Sequence, residues 1–180
     1  MEVVKTVKEG YVLDSTAIIQ GVDPNSLKRE SFTIRELLDE IGEIGRRWMR
    51  IKTAMMLGKL VIREPTAGGM EKVGRVAKEY GLYDKLSKPD IKILALGYEL
   101  HSEEDYDIEI ITDDYDIQNA AAILNLKYIS IGIREIRKTF LYIKYCPACK
   151  RKYSGYSGTV CPICGHRLMG VKKVIKDNTY

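Results

Sequence analysis

The residues of this 180-residue chain best equipped for chemistry are four cysteines near its end and a set of carboxylates spread through its body. Cys146-Pro147-Ala148-Cys149 and Cys161-Pro162-Ile163-Cys164-Gly165 form two Cys-x-x-Cys knuckles separated by 11 residues. Each knuckle turns two thiolates toward one point, and two of them complete the tetrahedral four-sulfur shell that structural Zn²⁺ prefers. The rival for a Cys-x-x-Cys pair is a thioredoxin-like redox centre. That would need a pair opening a helix after a strand, a context neither pair has. A closed four-sulfur site is structural, so the segment is expected to fold with its metal. His166 adjoins the second pair as a bystander.

Among the carboxylates, Asp14 has the most telling position. Tyr11-Val-Leu leads straight into it, and Ser15-Thr16 follows, as where a buried strand delivers a charge to the rim of a sheet. Asp113 and Asp114 follow a second apolar run, Ile108 to Thr112. Asp90 lies in the first turn of the helix opened by Ser87-Lys88-Pro89, and Glu36, Asp39, Glu40 and Glu43 share a helix after Thr33. Carboxylates gathered on one rim repel, and one must stay protonated unless a cation offsets the charge. Oxygen ligands at that density suit Mg²⁺ or Mn²⁺. Plainer roles compete for most of them. Asp90 completes a capping box with Ser87, Asp116 reads as an N-cap, and Glu36, Asp39 and Glu43 read as the wet face of a helix. Periodicity alone does not single out Glu40.

The elements that must position these groups alternate along the body. Gly10–Leu13 reads as a strand, followed by a short helix capped by Ser15 or Thr16 and ending near Gly21. Asp23–Ser26 is a turn, and Ser31–Thr33 a second strand, with Thr33 as a cap for the next helix. A helical period runs from Ile34 to Met55, broken at Gly42 and Gly45 and stopped at Gly58. Lys59–Arg63 is a strand and Met70–Tyr80 a helix. The Ser87 helix precedes an acidic loop, His101–Asp107. Ile108–Thr112, a helix to Asn125, and Tyr128–Ile131 complete the alternation. Such an order predicts an α/β fold, a parallel sheet with helices on both faces.

Bulk properties narrow the class. A hydrophobic fraction of 45% fills a core and excludes disorder. No apolar run approaches the ~18 residues of a membrane span, and the N-terminus lacks a secretory-leader pattern, so no membrane role and a cytoplasmic location are expected. The net charge of +4 conceals an asymmetry: residues 134–180 carry 11 Lys/Arg against 2 Asp/Glu, and residues 1–133 carry 18 against 23. A basic tail on an acidic body points to a polyanion partner, and nucleic acid is the commonest. Lys150, Arg151, Lys152, Arg167, Lys172 and Lys173 flank the knuckles, where Tyr153 and Tyr156 either stack on unpaired bases or pack the small ribbon core.

Taken together, Asp14, Glu40, Asp90 in Ser-Lys-Pro-Asp, and Thr112-Asp-Asp114-Tyr-Asp116 resemble the acidic residues of a PIN nuclease domain. Phe32-Thr-Ile-Arg-Glu36, Ser87-Lys-Pro-Asp-Ile-Lys-Ile-Leu-Ala-Leu96, Asp116-Ile-Gln-Asn119 and the cysteine quartet make the chain similar to the Nob-type endonucleases, archaeal-like, over nearly its whole length. The expected division is a PIN-type parallel sheet over residues 1–133, a basic linker over 134–144 with some strand character in Phe140 to Lys144, and a zinc ribbon over 145–180. The resemblance implies a metal-dependent endoribonuclease that hydrolyses precursor small-subunit rRNA at its mature 3′ end, in the pre-small ribosomal subunit, leaving a 3′-hydroxyl and a 5′-phosphate. By position, Asp14, Glu40, Asp90 and Asp114 carry over as catalytic residues. Asp14, Asp90 and Asp114 are expected to hold Mg²⁺ or Mn²⁺, and Cys146, Cys149, Cys161 and Cys164 to hold Zn²⁺. Lys150, Arg151, Lys152, Tyr156, Arg167 and Lys172 are expected to meet the RNA. Thr112 is expected to orient its adjoining carboxylate.

Two other functions fit parts of the chain. A non-catalytic RNA-binding assembly factor would explain the basic ribbon, but a degraded nuclease would be expected to lose one of the four acids. A phosphatase with an aspartyl nucleophile would need a second carboxylate two residues after Asp14, where Thr16 stands.

Overall fold

A computed structural model describes residues 7–103, 106–132, 136 and 138–177. The body alternates as the apolar pattern requires. β1 (Lys8–Leu13), α1 (Ser15–Ile19), a 3-10 turn (Pro24–Ser26), β2 (Glu30–Thr33), α2 (Arg35–Ile41), α3 (Gly45–Met56) and β3 (Leu60–Ile62) come first. They are followed by α4 (Ala67–Glu79), α5 (Lys88–Glu103), β4 (Tyr106–Ile111), α6 (Tyr115–Ile123) and β5 (Lys127–Ile129). The five strands are all parallel, in the order β3-β2-β1-β4-β5. The chain builds one half outward from β1, then returns to β4 on its other side. The strand order therefore reverses between β1 and β4, and ligands bind at such a switch point, beyond the carboxyl ends of the strands.

Strand residues alternate between two cores, as their period of two dictates. Val12, Ile108 and Ile110 face α4, α5 and α6, packing with Val73, Leu94, Ala95 and Ile117. Leu13 and Ile111 face the other way, onto Ala17 and Ile18 of α1, Leu37 of α2, and Ile51 and Ala54 of α3. The sheet is thus covered on both faces.

The glycine breaks fall where the sequence puts them, with Gly42 capping the end of α2 and Gly45 opening α3, both at positive φ. Several caps differ from expectation. Asp14 itself caps α1, accepting from the Ser15 N–H, so neither Ser15 nor Thr16 is the cap. Thr33 does not cap α2; its hydroxyl is buried and donates to the Leu13 carbonyl at 2.8 Å, tying β2 to β1. Asp114, not Asp116, caps α6. α5 runs to Glu103 and β4 starts at Tyr106, so most of the expected acidic loop is regular structure; residues 104 and 105 lie outside the described residues.

The C-terminal part is an antiparallel three-stranded sheet, β7-β6-β8, of β6 (Lys138–Tyr145), β7 (Lys152–Ser154) and β8 (Met169–Asp177). The segment expected to be a linker is therefore the central strand of the ribbon from Lys138 onward. Its alternating Phe140, Tyr142 and Lys144 suit a half-covered strand rather than a tether. The ribbon lies on the C-terminal end of α4. A helix leaves its last carbonyls without intrahelical partners. Here the Tyr142 N–H donates to the Tyr80 carbonyl at 2.9 Å, and the Ser154 hydroxyl to the Glu79 carbonyl at 2.6 Å.

Candidate active site and metal centre

At the switch point Asp14 is only 6% exposed, yet its carboxylate is well supplied with donors. Oδ2 accepts from the Thr16 hydroxyl at 2.6 Å and the Thr112 hydroxyl at 2.8 Å, and Oδ1 from the Ser15 N–H at 2.7 Å. The two threonines are relays. Thr16 accepts from the Asp113 N–H and Thr112 from the Asp114 N–H, at 3.1 and 3.0 Å. The ends of β1 and β4 are thus locked together through one buried charge. Thr112 serves Asp14 across the sheet, where its adjoining carboxylate was the expected partner. The role of Thr16 is not evident in the sequence, because a hydroxyl two residues after Asp14 reads equally well as a helix cap.

The acids after β4 have separate tasks. Asp114 caps α6 through the Asp116 and Ile117 N–H groups at 2.7 and 3.2 Å. Asp113, 5% exposed, accepts from the Ser130 hydroxyl at 2.7 Å and the Ile131 N–H at 2.8 Å, holding the turn after β5. Burial, and then the negative charge of Asp116, raise the Tyr142 hydroxyl on the ribbon above its ordinary value. Asp90 forms the expected capping box with Ser87, accepting from its N–H at 2.6 Å while the Ser87 hydroxyl accepts from the Asp90 N–H. Burial pushes the Asp90 carboxyl above the usual range, the Ser87 bonds offset part of this, and the negative charges of Asp114 and Asp14 push it further. Three of the four expected acids, contributed by β1, α5 and the β4–α6 turn, therefore share one electrostatic neighbourhood.

Glu40 stands apart. It is exposed on α2 and does not contribute to the shift at Asp90. Glu36, one turn earlier, is not the solvated residue expected. It is half-buried and takes an ion pair at 2.6 Å from Lys92, two residues beyond Asp90. Lys92 also bridges Glu64, which accepts from the Arg35 N–H at the start of α2. This trio seats α2 beside α5, and Glu40 lies one turn along α2 from Glu36. The lysine was invisible to periodicity because an ion pair between helices 56 residues apart leaves no local pattern.

The acids fit a divalent cation in kind: carboxylate oxygens, mutual repulsion, and a raised carboxyl that a cation would relieve. Among the described residues, only Cys146, Cys149, Cys161 and Cys164 bring three or more ligand atoms within 4.8 Å of one another. Their sulfurs approach at 3.5 Å (Cys146–Cys164) and 3.6 Å (Cys149–Cys161). Tetrahedral Zn–S bonds of ~2.3 Å place sulfurs ~3.8 Å apart, so the cluster fits that ion. Burial pushes the Cys161 thiol up, but the Tyr153 hydroxyl and the Cys164 and Ile163 N–H groups bring it down to about 6, toward the thiolate a metal needs. The Tyr153 hydroxyl lies 3.0 Å from that sulfur and is held protonated by it. His166 is exposed and outside the cluster, with its carbonyl accepting from the Cys161 N–H.

A doubly wound parallel sheet with acids converging at its switch point has the architecture of a PIN-domain nuclease, and the family model described as "PIN domain of ribonuclease" matches residues 11–100. The chain is 35% identical over 159 residues to the endoribonuclease Nob1 of Methanothermobacter thermautotrophicus, covering 88% of this chain and 90% of that one. It is 36% identical over 167 residues to endoribonuclease Nob1 of Methanocaldococcus jannaschii, covering 92% and 78%. With endoribonuclease Nob1 of Pyrococcus abyssi the identity is 34% over 160 residues, covering 88% and 91%. The chain belongs to the Nob1 family of PIN-domain endoribonucleases.

Proposed function

We propose that the protein cleaves precursor small-subunit rRNA at its mature 3′ end within the pre-small ribosomal subunit, in the cytoplasm, using Mg²⁺ or Mn²⁺. The observation that carries this reading is the convergence of Asp14, Asp90 and Asp114 at the switch point, where burial and the charges of the other two raise the Asp90 carboxyl. Asp14, Asp90 and Asp114 would hold the divalent ion, which would supply Lewis-acid stabilisation of the scissile phosphate and a more acidic water. The protein's own part is rigid placement. Thr16 and Thr112 fix Asp14, the α6 cap fixes Asp114, and the Ser87 box fixes Asp90. Carboxylates held in place before the substrate arrives need no reorganisation as charge develops. Glu40 on α2 completes the acidic set from the α2 side of the rim.

The cysteine quartet, in this reading, holds a structural Zn²⁺ that folds the ribbon. The ribbon presents Lys150, Arg151, Lys152, Tyr156, Arg167 and Lys172 to the RNA. Non-specific affinity from such cations offsets the acidic body, which alone repels a phosphate chain.

The test is cleavage of a short RNA spanning the mature 3′ end. Wild type should cut it in Mn²⁺, and Asp14→Asn should abolish cutting while RNA binding stays intact. A wild-type protein that binds the RNA but cuts it in neither Mn²⁺ nor Mg²⁺ would replace this reading with that of a non-catalytic RNA-binding factor.

A further inference from the structure

We infer that the cleft between the end of α4 and the ribbon binds a single-stranded stretch of the RNA, with bases stacked on its tyrosines and phosphates on its lysines. The inference rests on the RNA-cleaving reading for the identity of the ligand, and adds a site on the body side that the ribbon cations do not account for. The cleft encloses about 850 Å³. That is the size of a small-molecule site, with room for about two nucleotides. It is too small for duplex RNA, which proteins grip across successive grooves over about 16 base pairs.

The lining matches one ligand chemistry. Among the described residues, four tyrosines and four lysines line the cleft, and the one acid among them, Asp84, lies 3.7 Å from Lys144. The lysines lie over the rings: Lys78 is 4.8 Å from the centre of Tyr83, and Lys85 and Lys172 are 4.4 and 5.4 Å from that of Tyr142. Aromatic faces with cations beside them are how proteins hold unpaired nucleic acid, each base taking a ring and each ammonium a phosphate. An acidic peptide would use the lysines and leave the ring faces without a role.

Two connections tie the cleft to the other sites. Burial and the negative charge of Asp116, two residues beyond Asp114, raise the Tyr142 hydroxyl, so this wall of the cleft lies beside the start of α6. Tyr153 lines the cleft, packs at 5.5 Å against Tyr156, and reaches Cys161 Sγ at 3.0 Å. The cysteine cluster therefore fixes the stacking surface as well as the ribbon backbone.

The experiment uses zinc-loaded full-length protein carrying Asp14→Asn, so the RNA stays intact and the result does not depend on whether the acids cleave. Fluorescence anisotropy compares an unstructured oligoribonucleotide with a blunt hairpin duplex. Tyr83 is 45% exposed, so removing it leaves the cores untouched. Tyr83→Ala should weaken single-strand binding about tenfold, Tyr83→Phe should restore it, and Lys85→Glu should weaken it at least as much. The duplex should bind each variant as it binds the parent. Single-strand affinity unchanged in both Tyr83→Ala and Lys85→Glu would overturn the inference, as would an equal loss for the duplex. Failure of the cleavage reading would show separately, in the Asp14 test on wild-type protein.

Discussion

At the scale of single residues, the acidic site carries an electrostatic cost that a divalent cation would relieve, and Asp90 is where that cost can be read. Its carboxyl is raised above the ordinary value of 3.8 by burial, and further by Asp114 and Asp14, against the lowering effect of Ser87. Between 3.8 and its own higher value, the folded protein holds more protons than the unfolded chain. Stability contributed at this position therefore falls as pH rises through that window. An uncharged isostere escapes the penalty while keeping an oxygen for the Ser87 N–H. Metal-free Asp90→Asn should consequently melt at a higher temperature than wild type at pH 7, with the gap closing below about pH 4 as the wild-type carboxyl protonates. Adding Mn²⁺ should raise the wild-type melting temperature by mass action and leave the variant nearly unmoved. Differential scanning fluorimetry across pH, with and without Mn²⁺, checks both arms; a variant that melts below wild type at pH 7 would contradict the argument. Thr112 makes the complementary case. Thr112→Val keeps the volume but leaves Asp14 short of a donor and the Asp114 N–H without its acceptor, at a cost of about 1–3 kcal/mol in a denaturant titration.

At the scale of elements, the joint between ribbon and body is built from backbone groups that would otherwise lack partners. The Asn119 side chain imitates a strand edge, donating to the Phe140 carbonyl at 3.0 Å and accepting from its N–H at 2.7 Å. Gln118 accepts from the Ile136 N–H at 3.1 Å. Gly81, at φ +69°, lets the α4 terminus approach so closely that an added Cβ would stand 2.0 Å from the Tyr142 carbonyl oxygen. Gly81→Ala combines a left-handed backbone with that clash and should cost about 2 kcal/mol or more. Asn119→Ala should speed amide exchange at Phe140 while zinc stays at about one ion per chain, which separates undocking of the ribbon from its unfolding. Apolar alternation and glycine breaks were enough to place all five body strands, the α2–α3 break and the α5 capping box, because those signals are local. The knuckles were legible for the same reason, their ligands being paired three residues apart. What sequence could not show depends on distant partners. The run Asp116-Ile-Gln-Asn119 reads as a helix start, yet Asn119 binds the ribbon strand at Phe140 and Gln118 binds the chain just before it at Ile136. Glu36 reads as solvated until Lys92 meets it from α5. Residues 138–144 read as a linker with some strand character from Phe140, and not as the central strand, because their strand partners, Met169–Asp177, lie some thirty residues on.

At the scale of the whole molecule, charge and metal divide the work. The acidic body holds the candidate carboxylate site, and the basic surplus lies in the last 47 residues, which include four cysteine sulfurs grouped closely enough to hold one ion. If cations meet RNA phosphates, binding must release counterions, so log affinity falls linearly with log salt at roughly −0.7 per single-strand phosphate neutralised. Lys144 and Lys172 sit on β6 and β8 of the ribbon, whereas Lys78 sits on α4 and Lys85 between α4 and α5 of the body, and the body pair is expected to stay in place without the ribbon. Stripping zinc from the Asp14→Asn protein should therefore both weaken binding and flatten the salt slope, by about 0.7 for each phosphate that a ribbon cation no longer neutralises. The body lysines, still in place, should keep the slope negative. Anisotropy titrations of a short single strand over roughly 50–200 mM salt, on zinc-loaded and zinc-stripped protein, give both slopes. Equal slopes would mean that the ribbon cations do not meet the phosphates, and the RNA would have to be held by the body alone, against its own net negative charge.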